Sequence, residues 1–193
     1  MEIDIYGDIT PIIERDTDMS ASRLRGLLKK NTGPIDLHIN SGGGDVFEGL
    51  AIYNLLKASP NHITVYIDGL AASIASVIAM AGDRIYIPAN AMLMVQAPWT
   101  SAQGNAKELR KLATDLDQLA ESMKDIYIDR TGGRVNRQTI TKLMDQETWL
   151  TGSEALEYGL ADEVLNPVKV AACLTHEQAK MFKRVPEVVN YAR

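Results

Sequence analysis

The spacing of apolar residues changes repeatedly along this chain, and each change marks an element. "MEIDIYGDIT" reads as a strand and turn. In "TDMSASRLRGLLKK" apolar positions move to helical spacing behind a capping Ser20 or Asp18, and "NTG" ends the helix. "PIDLHIN" predicts a strand, "SGGG" a turn, and "DVFEGLAIYNLLKAS" a second helix with Asp45 in its acidic first turn. "HITVYIDGL" is a β-rich strand that runs into an apolar helix beginning near Ser73. "DRIYIPANAMLMVQAP" then supplies two short strands broken at Pro88-Ala89-Asn90. This alternation predicts an α/β fold of parallel β-α units with right-handed crossovers, whose loops at the C-terminal strand ends are available for chemistry.

From Asn105 to Arg130 the pattern becomes one long stripe: Leu109, Leu112, Leu116, Leu119, Met123 and Ile126 alternate at three and four residues. A helix of that length must lie on its own sheet or against another copy of the chain. "TGG" closes it, "RQTITKLMDQ" predicts a shorter helix, and "TWLTGSEALEYGLADEVL" a strand, a helix and a last strand. After "NP" the tail reads as a helix ending before Pro186. The expected division is a main domain over 1–165 and a C-terminal helical extension over 166–193.

Composition narrows the possible functions. Apolar residues at 46% and charged residues at 23% are ordinary globular proportions, and a net charge of -5 argues against a nucleic-acid partner. The most apolar stretch, Gly69 to Gly82, is shorter than the roughly 20 residues that span a bilayer, so no membrane partner is expected. The single cysteine, Cys173, cannot form an internal disulfide, which fits a reducing cytoplasm. No Cys/His cluster has ligand spacing, so neither metal nor cofactor is expected.

Two strand-to-helix junctions carry candidate chemistry. Three glycines in "INSGGGDVFEG" free backbone N–H groups to approach an anion, although neither phosphate-loop glycine fingerprint is matched and a plain tight turn remains open. Ser73 falls at a helix start, where a hydroxyl is exposed and negative charge is favoured. Taken alone, a serine in this place is more often a helix cap or a small packing residue, and Ser76 one turn later would serve as well.

"INSGGGDVFEGLAIYNLL", "IDGLAASIASVIAMAGDRIYIPANAMLMVQAPW", "AQGNA" and "TWLTGSEALEYGLADEV" together resemble the proteolytic subunit of Clp protease, ClpP, over about Ile5 to Val164. The likeness is greatest to the ClpP-like head-maturation peptidases of tailed phages and prophages. It implies a crotonase-like spiral of β-β-α units and a ring oligomer joined through the long handle helix. It also implies a serine endopeptidase acting on peptide or protein substrates in the bacterial cytoplasm or a phage prohead, either ATP-independent or chaperone-assisted. By the same resemblance Ser73 is the nucleophile, the N–H groups of Gly44 and Ile74 form the oxyanion hole, and Gly42, Gly43 and Pro98 contact substrate. Glu147 stands at the acid position, where the phage-like relatives often carry Glu. Read by itself, Glu147 is a solvated loop carboxylate. The family's N-terminal axial segment and first helix have no counterpart ahead of the first strand here, so an unfoldase ATPase partner is not expected.

One position departs from the pattern: Gln96 stands where the family has its general-base histidine. A carboxamide can hydrogen-bond both Ser73 and Glu147, but it has no pKa that lets it take a proton near neutrality. His38, His62 and His176 are not placed by the pattern to substitute. The rival expectation is therefore a catalytically impaired pseudopeptidase or structural ring subunit. A crotonase-type acyl-CoA enzyme would share the fold but leaves the "AAS" serine and "ETWLTGSEA" unexplained.

Overall fold

The computed structural model describes residues 1–167, 173–174, 176–187 and 189–191. Five parallel strands lie in the order β1 (Glu2–Ile5), β2 (Ile35–Ser41), β3 (Ile63–Ala72), β4 (Arg84–Pro88) and β7 (Glu163–Leu165). β3 is long enough to change neighbours. Thr64 to Tyr66 pair with β4, while Leu70 to Ala72 pair in parallel with β5 (Met92–Val95). β6 (Thr148–Thr151) closes this second part of the sheet antiparallel to β5. The α/β alternation predicted by the sequence is thus present, with one antiparallel pair that apolar spacing did not reveal.

Local chemistry explains where the helices begin and end. Ser20 caps α1 (Ala21–Leu28) by accepting from the Arg23 N–H, and Asp45 caps α2 (Val46–Lys57) by accepting from the Glu48 N–H. Glu48 also accepts from the Ala21 N–H at 2.7 Å, which ties the two helix starts together. α3 (Ile74–Ala79) is apolar throughout apart from Ser76, and every residue in it is buried. Its burial on all sides follows from that composition. Capping boxes open α4 (Ala106–Thr131) and α6 (Gly152–Tyr158), and Gly132 and Gly159, both left-handed, end them. α5 (Arg137–Asp145) lies between α4 and β6.

α4 is only half covered. Met123, Tyr127 and Thr131 are its buried residues, whereas Leu109 is exposed and Leu112, Leu116 and Leu119 are partly so. The predicted stripe therefore meets the protomer's core only in its last two turns.

The tail differs from the continuous helix predicted for it. Its helix, α7, covers only His176–Ala179, and β8 (Cys173–Leu174) pairs in parallel with β9 (Asn190–Tyr191). The physical reason lies at residues 183 and 184, whose N–H groups are taken by the Glu147 carboxylate instead of a helical carbonyl. Leu174, Phe182 and Val189 then bury against Leu70, Ala72, Met92 and Met94 of β3 and β5.

The loop from Asp8 to Met19 is built around one buried carboxylate. Asp18 accepts from the backbone N–H groups of Asp8, Glu14 and Arg15 and from the Arg15 guanidinium. This loop holds Ile9, whose N–H donates to the Gly43 carbonyl at 3.0 Å and whose carbonyl accepts from the Asp45 N–H at 2.7 Å. Burial pushes the Asp18 carboxyl up, but the four donors outweigh it and hold the group below its ordinary value. A depressed folded pKa stabilises the protein above the ordinary aspartate value of about 3.9, and that contribution is lost as pH falls through the lower folded value. Asp18→Ala should cost about 2–3 kcal/mol at pH 7, because charged hydrogen bonds are removed. Urea unfolding at pH 7 and pH 3 checks this, with the gap between variant and parent narrowing at the acid pH.

Candidate active site

A single residue turns the chain from β3 to α3. Ser73 adopts φ 54° and ψ −129°. For an L residue this conformation costs about 1–3 kcal/mol, and such strain concentrates at functional sites. Its surroundings fix it. The Ser73 N–H donates to the Met94 carbonyl at 3.1 Å, and the Ser73 carbonyl accepts from the Ser76 N–H at 3.0 Å and the Ser76 hydroxyl at 2.6 Å. The Ser76 oxygen lies 2.7 Å from the hydroxyl of Tyr127 on α4, so the Tyr127 hydroxyl donates to it. Burial holds the Tyr127 phenol well above its ordinary range despite the Ser76 contact, so it is a neutral donor. Ser76, fully buried, is thereby committed to bracing the turn. Ser73 caps nothing and opens into a cavity.

The glycine turn after β2 lies beside it. A Cβ at Gly43 would stand 2.8 Å from the Ala72 carbonyl oxygen and 2.9 Å from Ser73 Cβ, so only glycine lets the two turns approach this closely. The bridge to Ile9 uses the Gly43 carbonyl and the Asp45 N–H and leaves the Gly44 N–H outside it. Ile74, as the first residue of α3, has an N–H with no intrahelical acceptor.

Strand register brings up the remaining groups. Ala72 pairs with Met94 in parallel, and Val95 pairs with Thr148 antiparallel. One further step of the antiparallel register puts Gln96 opposite Glu147, and the Ala97 N–H fastens this edge to the Met144 carbonyl at 3.1 Å. Gln96 is 6% exposed, and its Nε2 donates to Ser73 Oγ at 2.8 Å. Among the described residues it is the sole side chain bonded to that oxygen.

Glu147 is 8% exposed, with φ 52°, just past the end of α5 where a left-handed glycine is the usual choice. It is not a solvated loop carboxylate. Its oxygens accept from the Lys183 N–H at 2.7 and 3.0 Å and from the Arg184 N–H at 3.1 Å. Among the described residues it shares no hydrogen bond with Gln96. The two-sided carboxamide bridge envisaged from the sequence is therefore made on the serine side alone.

Ser73, Gln96, Gly42, Gly44 and Pro98 line a cavity of about 150 Å³ together with Val46, Trp99 and Met123. Met181 and Phe182 from the tail complete it. Sequence reasoning missed these two, because the tail's pattern reads as a helix with no tie to the serine. Beyond Gly44, Val46, Pro98 and Trp99 the surface continues into a groove of about 350 Å³ reaching Phe47, Leu112, Leu116 and Leu119. His38 pairs with Asp68 at 2.8 Å and stacks on Tyr66, and His62 pairs with Asp83 at 3.2 Å; neither lines the cavity. The His176 side chain lies outside the described part. Among the described residues no group of three or more His, Cys, Asp or Glu could hold a metal ion, and no helix is long and apolar enough to cross a membrane.

A family model described as Clp protease matches residues 7–168. The chain is 34% identical over 137 residues to the "ATP-dependent Clp protease proteolytic subunit 1" of Protochlamydia amoebophila, covering 69% of this chain and 66% of that protein. It is also 34% identical over 134 residues to the "ATP-dependent Clp protease proteolytic subunit" of Bacteroides fragilis, covering 68% and 63%. The chain thus spans a little under two thirds of the length of these curated relatives.

The brace under Ser73 is directly testable. Tyr127→Phe should cost about 1 kcal/mol, since Ser76 keeps its bond to the Ser73 carbonyl. Ser76→Ala should cost more, about 2 kcal/mol, because it strands the buried Tyr127 hydroxyl. Chemical denaturation of the two variants reads the order.

Proposed function

The chain belongs to the Clp protease family, and from that membership we propose that it is a ClpP-like serine endopeptidase scaffold with Ser73 as its nucleophile. The observation that carries this reading is the strained Ser73 turn, buried behind by α3 and flanked by a glycine turn that only glycine can make. In the proposed reaction Ser73 Oγ adds to a peptide carbonyl carbon, and the N–H groups of Gly44 and Ile74 receive the charge that develops on its oxygen. Collapse expels the amine and leaves an acyl-enzyme, which water then hydrolyses. Gly42 and Pro98 form the wall against which the peptide lies, whereas Gly43, named with them from the resemblance, is not a lining residue: its N–H donates to Ser41 Oγ at 3.1 Å and its carbonyl accepts from the Ile9 N–H.

Proton transfer is the weak link. Oγ must lose a proton and the leaving amine must gain one, and Gln96 can carry neither. As a donor to Oγ it holds the hydroxyl in place without activating it. In a serine peptidase, loss of the base costs about 10⁶ in kcat, leaving the oxyanion hole and binding to act alone. A second reading, a pseudopeptidase that keeps the groove and the assembly for structure, is favoured by this Gln96–Ser73 bond and by the engagement of Glu147 elsewhere.

The assembly we propose is a ring of copies joined along α4, which supplies the cover that Leu109, Leu112 and Leu116 lack in the protomer. Among subtypes, the glutamate at 147 supports the phage-type peptidases, whose substrates would be scaffold or capsid precursors.

Fluorophosphonate labelling of Ser73 and peptide cleavage, compared between this chain and Gln96→His, test the chemistry. Gln96→His should raise labelling by at least about 10³, within the range that the base supplies. Absence of labelling and cleavage in both forms would sink the peptidase reading. Sedimentation tests the assembly: the chain should run as a large oligomer at micromolar concentration, and Leu116→Asp should reduce it to smaller species.

A further inference from the structure

The tail is fastened across the serine cavity at three places. At one end Leu174 and Gln178 lie against Gly42, where an added Cβ would meet Leu174 Cδ2 at 2.9 Å and the Gln178 amide at 3.3 Å. Gln178 also donates to Asp8. In the middle, Phe182 buries in the apolar cluster on β3 and β5 and meets Trp149 edge-on at 5.3 Å. At the far end, Glu147 grips the backbone N–H groups of Lys183 and Arg184. Between these points Met181 and Phe182 become part of the cavity lining. A carboxylate that accepts from two backbone N–H groups, one of them shared between both its oxygens, is a strong clamp, because charge-assisted bonds are roughly twice as strong as neutral ones.

We propose that Glu147 is the anchor of a C-terminal strap, and that the strap's Met181 and Phe182 are specificity-determining residues that restrict the Ser73 cavity to small side chains. The size limit rests on the reading of Ser73 as nucleophile; the anchor does not. At about 150 Å³ the cavity is half the smallest usual pocket for a drug-sized ligand, which is about 300 Å³. An aliphatic acyl group therefore fits, whereas a bulky aryl group requires Phe182 to move. Glu147 acts here as a positioning residue, through the backbone of Lys183 and Arg184 that directly follows the cavity-lining Met181 and Phe182.

Hydrogen exchange reads the anchor on the full chain. In Glu147→Ala the amides of Lys183 and Arg184 should exchange about a hundredfold faster, with the amides of β2 and β3 unchanged. If that variant loses its fold, Glu147→Gln takes its place: it keeps an acceptor oxygen and should show a smaller acceleration confined to the tail. Unchanged exchange at 183 and 184 overturns the anchor. The wall is read by equilibrium binding of a small alkylboronic and a bulky arylboronic acid, whose boron bonds to Ser73 Oγ while the displaced proton passes to solvent. Phe182→Ala should raise the aryl-to-alkyl affinity ratio at least tenfold, and an unchanged ratio overturns the wall. Should neither boronic acid bind to either form, the nucleophile reading and the size limit built on it fall together, while the exchange arm still decides the anchor.

Discussion

The turn at Ser73 is the constraint on which the site depends. One residue must leave a strand, enter a helix and hold a conformation that an L side chain resists by about 1–3 kcal/mol. It is held because α3 is buried on every side and cannot rotate out, and because both ends of the Ser73 peptide are hydrogen-bonded. Ser76 and Tyr127 carry that fixation to α4, and Met94 carries it to β5. The buried α3 with its ties to α4 and β5 thus keeps one hydroxyl in an unfavourable place.

Around that fixed point, register does the rest. The C-terminal ends of β3 and β5 and the start of antiparallel β6 come together, beside the glycine turn that follows β2. Asp18 contributes from outside the sheet, since the loop it organises presents Ile9 to Gly43 and Asp45. Under the proposed reading, the arrangement can add an oxygen nucleophile to a carbonyl but lacks a group that moves the proton. Gln96 holds the Ser73 hydroxyl by a hydrogen bond but has no acidity range near neutrality, so contact and proton transfer come apart at this residue.

Much of this could be read from residue patterns because the governing interactions are local. The helix starts, the apolar α3, and the stop glycines follow from side chains within a few positions of each other, although Ser20 rather than Asp18 caps α1 and Asp45, expected in the first turn of α2, is its cap. Family resemblance brought Ser73 and Gln96 together, and the 2.8 Å bond between them places them so. What pattern could not supply was the destination of the Glu147 carboxylate. Its partners are backbone N–H groups 36 and 37 positions away, and a backbone amide leaves no mark in a sequence. The same blindness turned the tail into a helix: residues 181–184 have helical spacing, but their amides have a stronger acceptor across the chain. Likewise, nothing in the spacing of Ile9 or Asp18 announces a loop that supports the glycine turn.

Ser73 and Glu147 are the two described non-glycine residues with positive φ, and they stand at the ends of the two strands, β3 and β6, that flank β5. At both positions the backbone on its own would prefer glycine. Removing either side chain there relieves torsional strain even as it deletes the hydroxyl or the clamp. A library of variants selected only for thermal tolerance would therefore drift toward glycine at 73, and it would delete the cavity's hydroxyl while relaxing the turn. Backbone comfort and retention of the hydroxyl pull in opposite directions at this turn, so any effort to stabilise the protein without losing that hydroxyl has to leave its least comfortable residue alone.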